Sequence, residues 1–164
     1  MTTAGASNSR RDVLAGVTAA LLPASNAPGA PVTSPLAGAA PSHAISFDRE
    51  AFVDRCLRAN RDGGQAAVRE VLAQAVADRG PVLAALPPSQ AGMNVLHRSA
   101  DLTVFAAAWT PQMNLPPHDH RMWALIGVYT GREDNIFWRR GDQGQLTPAG
   151  AKVLFAGDVA SLPI

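Results

Sequence analysis

The apolar positions of this chain change their period near residue 93. Before it they recur every three or four residues. Phe52, Val53, Cys56 and Leu57 share one face of a helix that Ser46 or Asp48 can cap, and Asp48 and Glu50 suit its positive end. Residues 60–64 break that helix. Val68, Val71, Leu72, Ala75 and Val76 then fall on one stripe of a second helix, which Gly80-Pro81 ends. After residue 93 the segments 95–98, 102–109, 123–129, 135–139 and 152–155 read as strands. Turn-forming residues at 99–101, 111–117, 131, 141–144 and 157–158 separate them. Short strands at near-regular spacing predict a mainly β fold: two α-helices in front of an antiparallel β-barrel or jelly roll.

Residues 1–44 stand apart from this pattern. They are rich in Ala, Pro, Ser, Thr and Gly, and Asp12 is their one acid. Arg10-Arg11 precedes an apolar stretch at 13–24, the layout of a signal peptide, and the paired arginines suggest the twin-arginine route. The stretch is shorter than the roughly 20 residues a bilayer span takes. Ala37-Gly38-Ala39 offers a small-residue cleavage site. The expectation is an exported, periplasmic protein with no membrane attachment after processing. The other reading is a low-complexity leader on a cytoplasmic protein. The expected organisation is therefore a leader at 1–44, a helical segment at 45–92 and a β-barrel at 93–164.

Composition narrows the function classes. Hydrophobic residues make up 47% of the 164 and charged residues 16%, enough for a packed core. A net charge of +1, with no basic block, gives no case for nucleic acid. The single cysteine, Cys56, rules out an internal disulfide and a Cys-pair zinc site, and it lies on the apolar face of the first helix.

The chemistry concentrates at His118-Asp119-His120. On a strand, residues i and i+2 point to the same face, so both imidazoles can reach one ion. Neutral imidazole suits iron, zinc, nickel and copper rather than magnesium or calcium. Pro116-Pro117 stiffens the approach to the pair.

This stretch resembles the first motif of the cupin superfamily, G-x5-H-x-H-x3/4-E-x6-G. His118 and His120 match its histidines and Gly131 its closing glycine. Gln112 stands for the first glycine, and Ala124 for the glutamate. A missing glutamate resembles the thiol dioxygenase branch, typified by cysteine dioxygenase, where three histidines hold Fe(II). That branch also shows W-x8-H-D-H, present here from Trp109 to His120. The resemblance implies an incomplete cupin (RmlC-like) jelly-roll barrel and Fe(II), or another divalent transition metal, on His118 and His120. It further implies a small-molecule thiol and O2 as substrates, with Arg98 pairing a substrate carboxylate. Leu125 replaces the cysteine that crosslinks to tyrosine in mammalian-type enzymes. Trp123 and Tyr129 read as packing.

The second cupin motif, G-x5-P-x-G-x2-H, is matched from Gly157 to Pro163, and its histidine would fall past Ile164. The expectation is thus a C-terminally truncated member. His97, Glu133 and His43 are the residues that could substitute, and each is badly placed for it. Two readings follow. One is a thiol dioxygenase forming a sulfinate. The other is a non-catalytic or vestigial metal-binding cupin, whose open strand edges would favour a homodimer.

Overall fold

The computed structural model describes the backbone of Leu14–Ala20 and residues 46–162. The elements, in order, are β1 (Leu14–Ala20), α1 (Arg49–Ala77), α2 (Arg79–Ala85), β2 (Gly92–Arg98), β3 (Thr103–Trp109), β4 (Ala124–Thr130), β5 (Arg132–Arg140), β6 (Leu146–Phe155) and β7 (Val159–Leu162).

Asp48 caps α1: its Oδ1 accepts from the N–H groups of Glu50 and Ala51 at 2.9 and 3.1 Å, satisfying two of the donors a helix start leaves open. The break expected at 60–64 is a kink. Gly64 leaves helical geometry at φ 60° and ψ −146°, and α1 resumes after it, because glycine alone tolerates that backbone without a Cβ penalty. The second helical stripe therefore belongs to α1. The unforeseen α2 takes Gly80-Pro81 into its first turn, where a missing N–H costs nothing.

Register sorts the sheet into faces. Five strands form one sheet in the order β2-β3-β1-β4-β7, and β5 pairs with β6 in a separate hairpin. Val104, Ala106, Leu125 and Tyr129 face the helices and pack with Phe52, Cys56, Val68, Leu72 and Val76. Each of the larger side chains contributes about 1.5–3 kcal/mol by burial. The alternate residues Ile126 and Val128 face the hairpin, meeting Leu154 and, from β7, Ala160. The result is three layers: helices, sheet, hairpin.

Gly127 sets the spacing of the first two layers. A Cβ there would lie 2.8 Å from Leu72 Cγ, 2.9 Å from its Cδ1 and 3.1 Å from Val76 Cγ1. The bare backbone lets α1 press directly on β4.

Two expectations are corrected. The protein is mainly β with two helices, but the β-structure is not a closed barrel: among the described residues no strand links the hairpin to the sheet, and the two meet face to face. Residues 146–151 extend β6, and β7 follows a tight turn in which Asp158 Oδ2 accepts from Phe155 N–H at 2.8 Å. Within the 1–44 segment read as a leader, Leu14–Ala20 forms β1, parallel to both β3 and β4. An uncharged apolar run suits a buried strand as well as a signal sequence, and pattern alone does not separate the two. The Arg10-Arg11 pair and the cleavage site lie outside the described residues. Among those residues, no helix is long and apolar enough to cross a membrane.

Candidate metal centre

The histidine pair lies on the connection from β3 to β4. Both strands run parallel to β1, with Thr103 and Ala124 level with Leu14 and Trp109 level with Ala20. Residues 110–123 must therefore travel back along the sheet, roughly 20 Å for a seven-residue strand. The stretch 113–120 belongs to no helix or strand. This corrects the expectation that His118 and His120 sit on a strand.

Two left-handed residues bracket the segment. Thr110 O accepts from Met113 N–H at 3.1 Å, closing a turn with Pro111 second and Gln112 third at φ 62°. Proline followed by a positive φ is the type II pattern, whose third residue is normally glycine. Gln112 thus stands where the resembled motif has glycine, and the backbone there still has the geometry glycine favours. At the other end Arg121 has φ 53°, and its N–H donates to Asp119 Oδ1 at 2.8 Å. The central residue of the triplet turns the chain into β4.

The imidazoles of His118 and His120 lie side by side, ring centroids 4.9 Å apart and planes at 63°. A bound ion about 2.1 Å from each nitrogen, at 90–109° between them, separates the ring centroids by roughly 4.5–5.2 Å. The observed spacing lies in that range, which edge-to-face ring packing also reaches. His118 Nδ1 lies 2.9 Å from Pro116 O. A carbonyl can only accept, so Nδ1 carries the proton and Nε2 is left free as a ligand, the usual support for a metal-binding histidine. His118 is exposed and His120 half-buried. Burial, then the neighbouring His118, pushes the His120 pKa below the usual histidine value, against the opposing pull of Asp119. Neutral imidazole is the form that binds metal.

The other candidates are placed as follows. Arg98 pairs in register with Thr103, on the hairpin side of the sheet, and is exposed at the end of β2. Thr103 and Ala124 are level, so Arg98 shares the sheet end that the histidine segment enters, three strand spacings or about 14 Å from β4. His97 pairs with Val104 and faces the helices, in a cleft lined by Glu50, Val53, Asp54 and Asn94. It is turned away from the pair. Glu133 lies just beyond Gly131, at the opposite end of β4 from Ala124. Ala124 is buried, and its carbonyl accepts from Gln65 Nε2 at 3.4 Å. Leu125 lies in the helix-facing core. Tyr129 donates to Leu86 O at 2.8 Å, and Trp123 packs on that core. His43 lies outside the described residues. Among the described residues, no three His, Cys, Asp or Glu side chains gather into a set that could hold a metal ion.

Sequence reasoning missed the polarity of the hairpin. Glu133 pairs with Leu154, which is buried against Val128, so Glu133 and Asn135 point at the sheet. Glu133 Oε2 and Asn135 Nδ2 are buried with no hydrogen-bond partner among the described residues. Ile136, Trp138, Val153 and Phe155 are exposed instead. Alternation along β5 was the available signal, and it runs opposite to the ordinary polar-out rule. Comparison with family models, curated proteins and solved structures found no match.

Proposed function

We propose that the protein is a non-haem Fe(II)-dependent thiol dioxygenase of the cysteine dioxygenase type, built on a jelly-roll relative of the cupins. The observation that carries this reading is the His118–His120 pair, its rings at ligand spacing and Nδ1 of His118 held by Pro116 O. His118 and His120 hold the ion, and Asp119 fixes the turn that follows them. Bound there, Fe(II) would supply the activation of O2. Arg98 gives a planar guanidinium at the same end of the sheet, suited to a substrate carboxylate. The reaction balances without another reductant. The thiol sulfur gives up four electrons, O2 takes them, and both oxygen atoms end on the sulfur as a sulfinate.

A second reading is favoured by one observation: two imidazoles, with no third ligand gathered beside them among the described residues. A non-catalytic metal-binding cupin would look the same.

Oxygen uptake by Fe(II)-loaded full-length protein separates the readings, with cysteine, 3-mercaptopropionate and an amine thiol as substrates. The dioxygenase reading expects thiol-dependent uptake that His118→Ala and His120→Ala abolish, and an Arg98→Ala loss confined to the acidic thiols. Metal binding without uptake supports the second reading. No His-dependent metal binding overturns both.

A further inference from the structure

Strands β3 and β4 are built as interior strands. Their sequences, Thr-Val-Phe-Ala-Ala-Ala-Trp and Ala-Leu-Ile-Gly-Val-Tyr-Thr, contain no charged residue and no proline. Open edges in natural sheets are guarded by charges, prolines and bulges. The outer strand β2 has such guards: His97, Arg98 and a register shift between Val95 and His97. The facing edges of β3 and β4 carry neither charge nor proline. They run in the same direction, level with one another, one strand apart.

Leu14–Ala20 fills that slot, but on unusual terms. Its pairings are the only parallel ones among the described strands. Its ladder to β4 slips between Thr18 and Ala19. Its two neighbours are remote in sequence, starting at Thr103 and Ala124. A strand of the opposite direction would make the whole sheet antiparallel, the slightly more stable pattern per residue. We propose that the slot between β3 and β4 is a strand-acceptor site for an uncharged extended segment, with Leu14–Ala20 as its exchangeable occupant. Recognition there comes from main-chain hydrogen bonds to both neighbours, as in other cases of β-strand addition.

Two experiments on the full chain test this. Val17 is level with Ala106, and Gly16 with Ile126. Neighbouring strands bring such partners within the roughly 4.4–6.8 Å Cα range of a disulfide. The pairs Val17→Cys/Ala106→Cys and Gly16→Cys/Ile126→Cys are expected to crosslink on mild oxidation, and the displaced pair Ala20→Cys/Ala106→Cys is not. Cys56 is buried, its thiol pushed up to about 12, and does not compete. In the second experiment, Val17→Pro empties the slot. Hydrogen exchange is expected to show lost protection in β3 and β4, regained on adding a synthetic peptide of residues 12–22 but not the same peptide with proline at position 17. Equal crosslinking of all three pairs overturns the proposal. So does a Val17→Pro protein whose β3 and β4 amides remain protected, or that ignores the peptide. Should that variant unfold altogether, the synthetic peptide carrying Val17→Cys is offered to the Ala106→Cys chain instead: a mixed disulfide is expected, and its absence overturns the proposal.

Discussion

Adding one methyl group at Gly127 should destabilise the fold by a predictable amount, through a named partner. In Gly127→Ala the new Cβ would sit 2.8 and 2.9 Å from two carbons of Leu72 and 3.1 Å from Val76. Leu72 and Val76 are 1% and 0% exposed, so neither can swing into solvent. The helix must lift or Leu72 must leave its rotamer. Overpacking of this kind costs about 1–3 kcal/mol, and about 2 kcal/mol lowers the melting temperature of a chain this size by roughly 4–8 °C. Leu72→Ala alone should cost about 2–5 kcal/mol through the cavity it leaves. Combined, the alanine at 127 occupies part of that cavity. The double variant should be more stable than the sum predicts, by about 1–2 kcal/mol of coupling. Urea unfolding of the four proteins measures this, using midpoints read at unchanged slope. Additivity within about 0.5 kcal/mol would refute the argument, since it would mean that the methyl and Leu72 do not meet.

Other outcomes follow from single contacts. Gln112→Gly should stabilise the protein by about 0.5–1 kcal/mol in urea unfolding, because it removes a left-handed non-glycine residue from a type II turn. Tyr129→Phe should cost about 1–2 kcal/mol, leaving Leu86 O without its buried donor. In metal-free protein, the depressed His120 pKa means that the unfolded chain takes up the proton first. Stability is therefore whole above the unfolded histidine value near 6.5 and falls as pH drops below it, levelling off once folded His120 also protonates. His120→Gln should flatten that part of the pH–stability curve.

The helices were legible because their signals are local: the Asp48 cap, the stripe from Val68 to Val76, the break near Gly64. The strand cores were legible for the same reason. The layering was not. Whether the 13–24 run is a signal core or a strand depends on what edges are open a hundred residues away, and no local pattern carries that. The His118–His120 pair was found by residue type and spacing, yet its support came from elsewhere. The Pro116 carbonyl that sets the tautomer and the left-handed Gln112 are backbone facts. The resembled motif hinted at the second by putting glycine there, but a sequence shows only that glutamine took its place. Glu133 and Asn135 turn inward because β6 packs on β4 through Leu154, a contact with no sequence signature.

The central position of β1 has a consequence for timing. Leu14 pairs with Thr103 and with Ala124, residues 89 and 110 positions later. At about 5–20 residues per second, the ribosome needs roughly 5–20 s to produce the strands that receive it. Until Trp109 is out, the first strand to emerge has no neighbour to pair with, and until residue 130 is out it has only β3. Pairings this distant in sequence also close slowly, since each must overcome the entropy of a long loop. A chain-binding factor therefore meets β1 without competition from its own sheet until β3 is out, and with half of that competition until β4 follows.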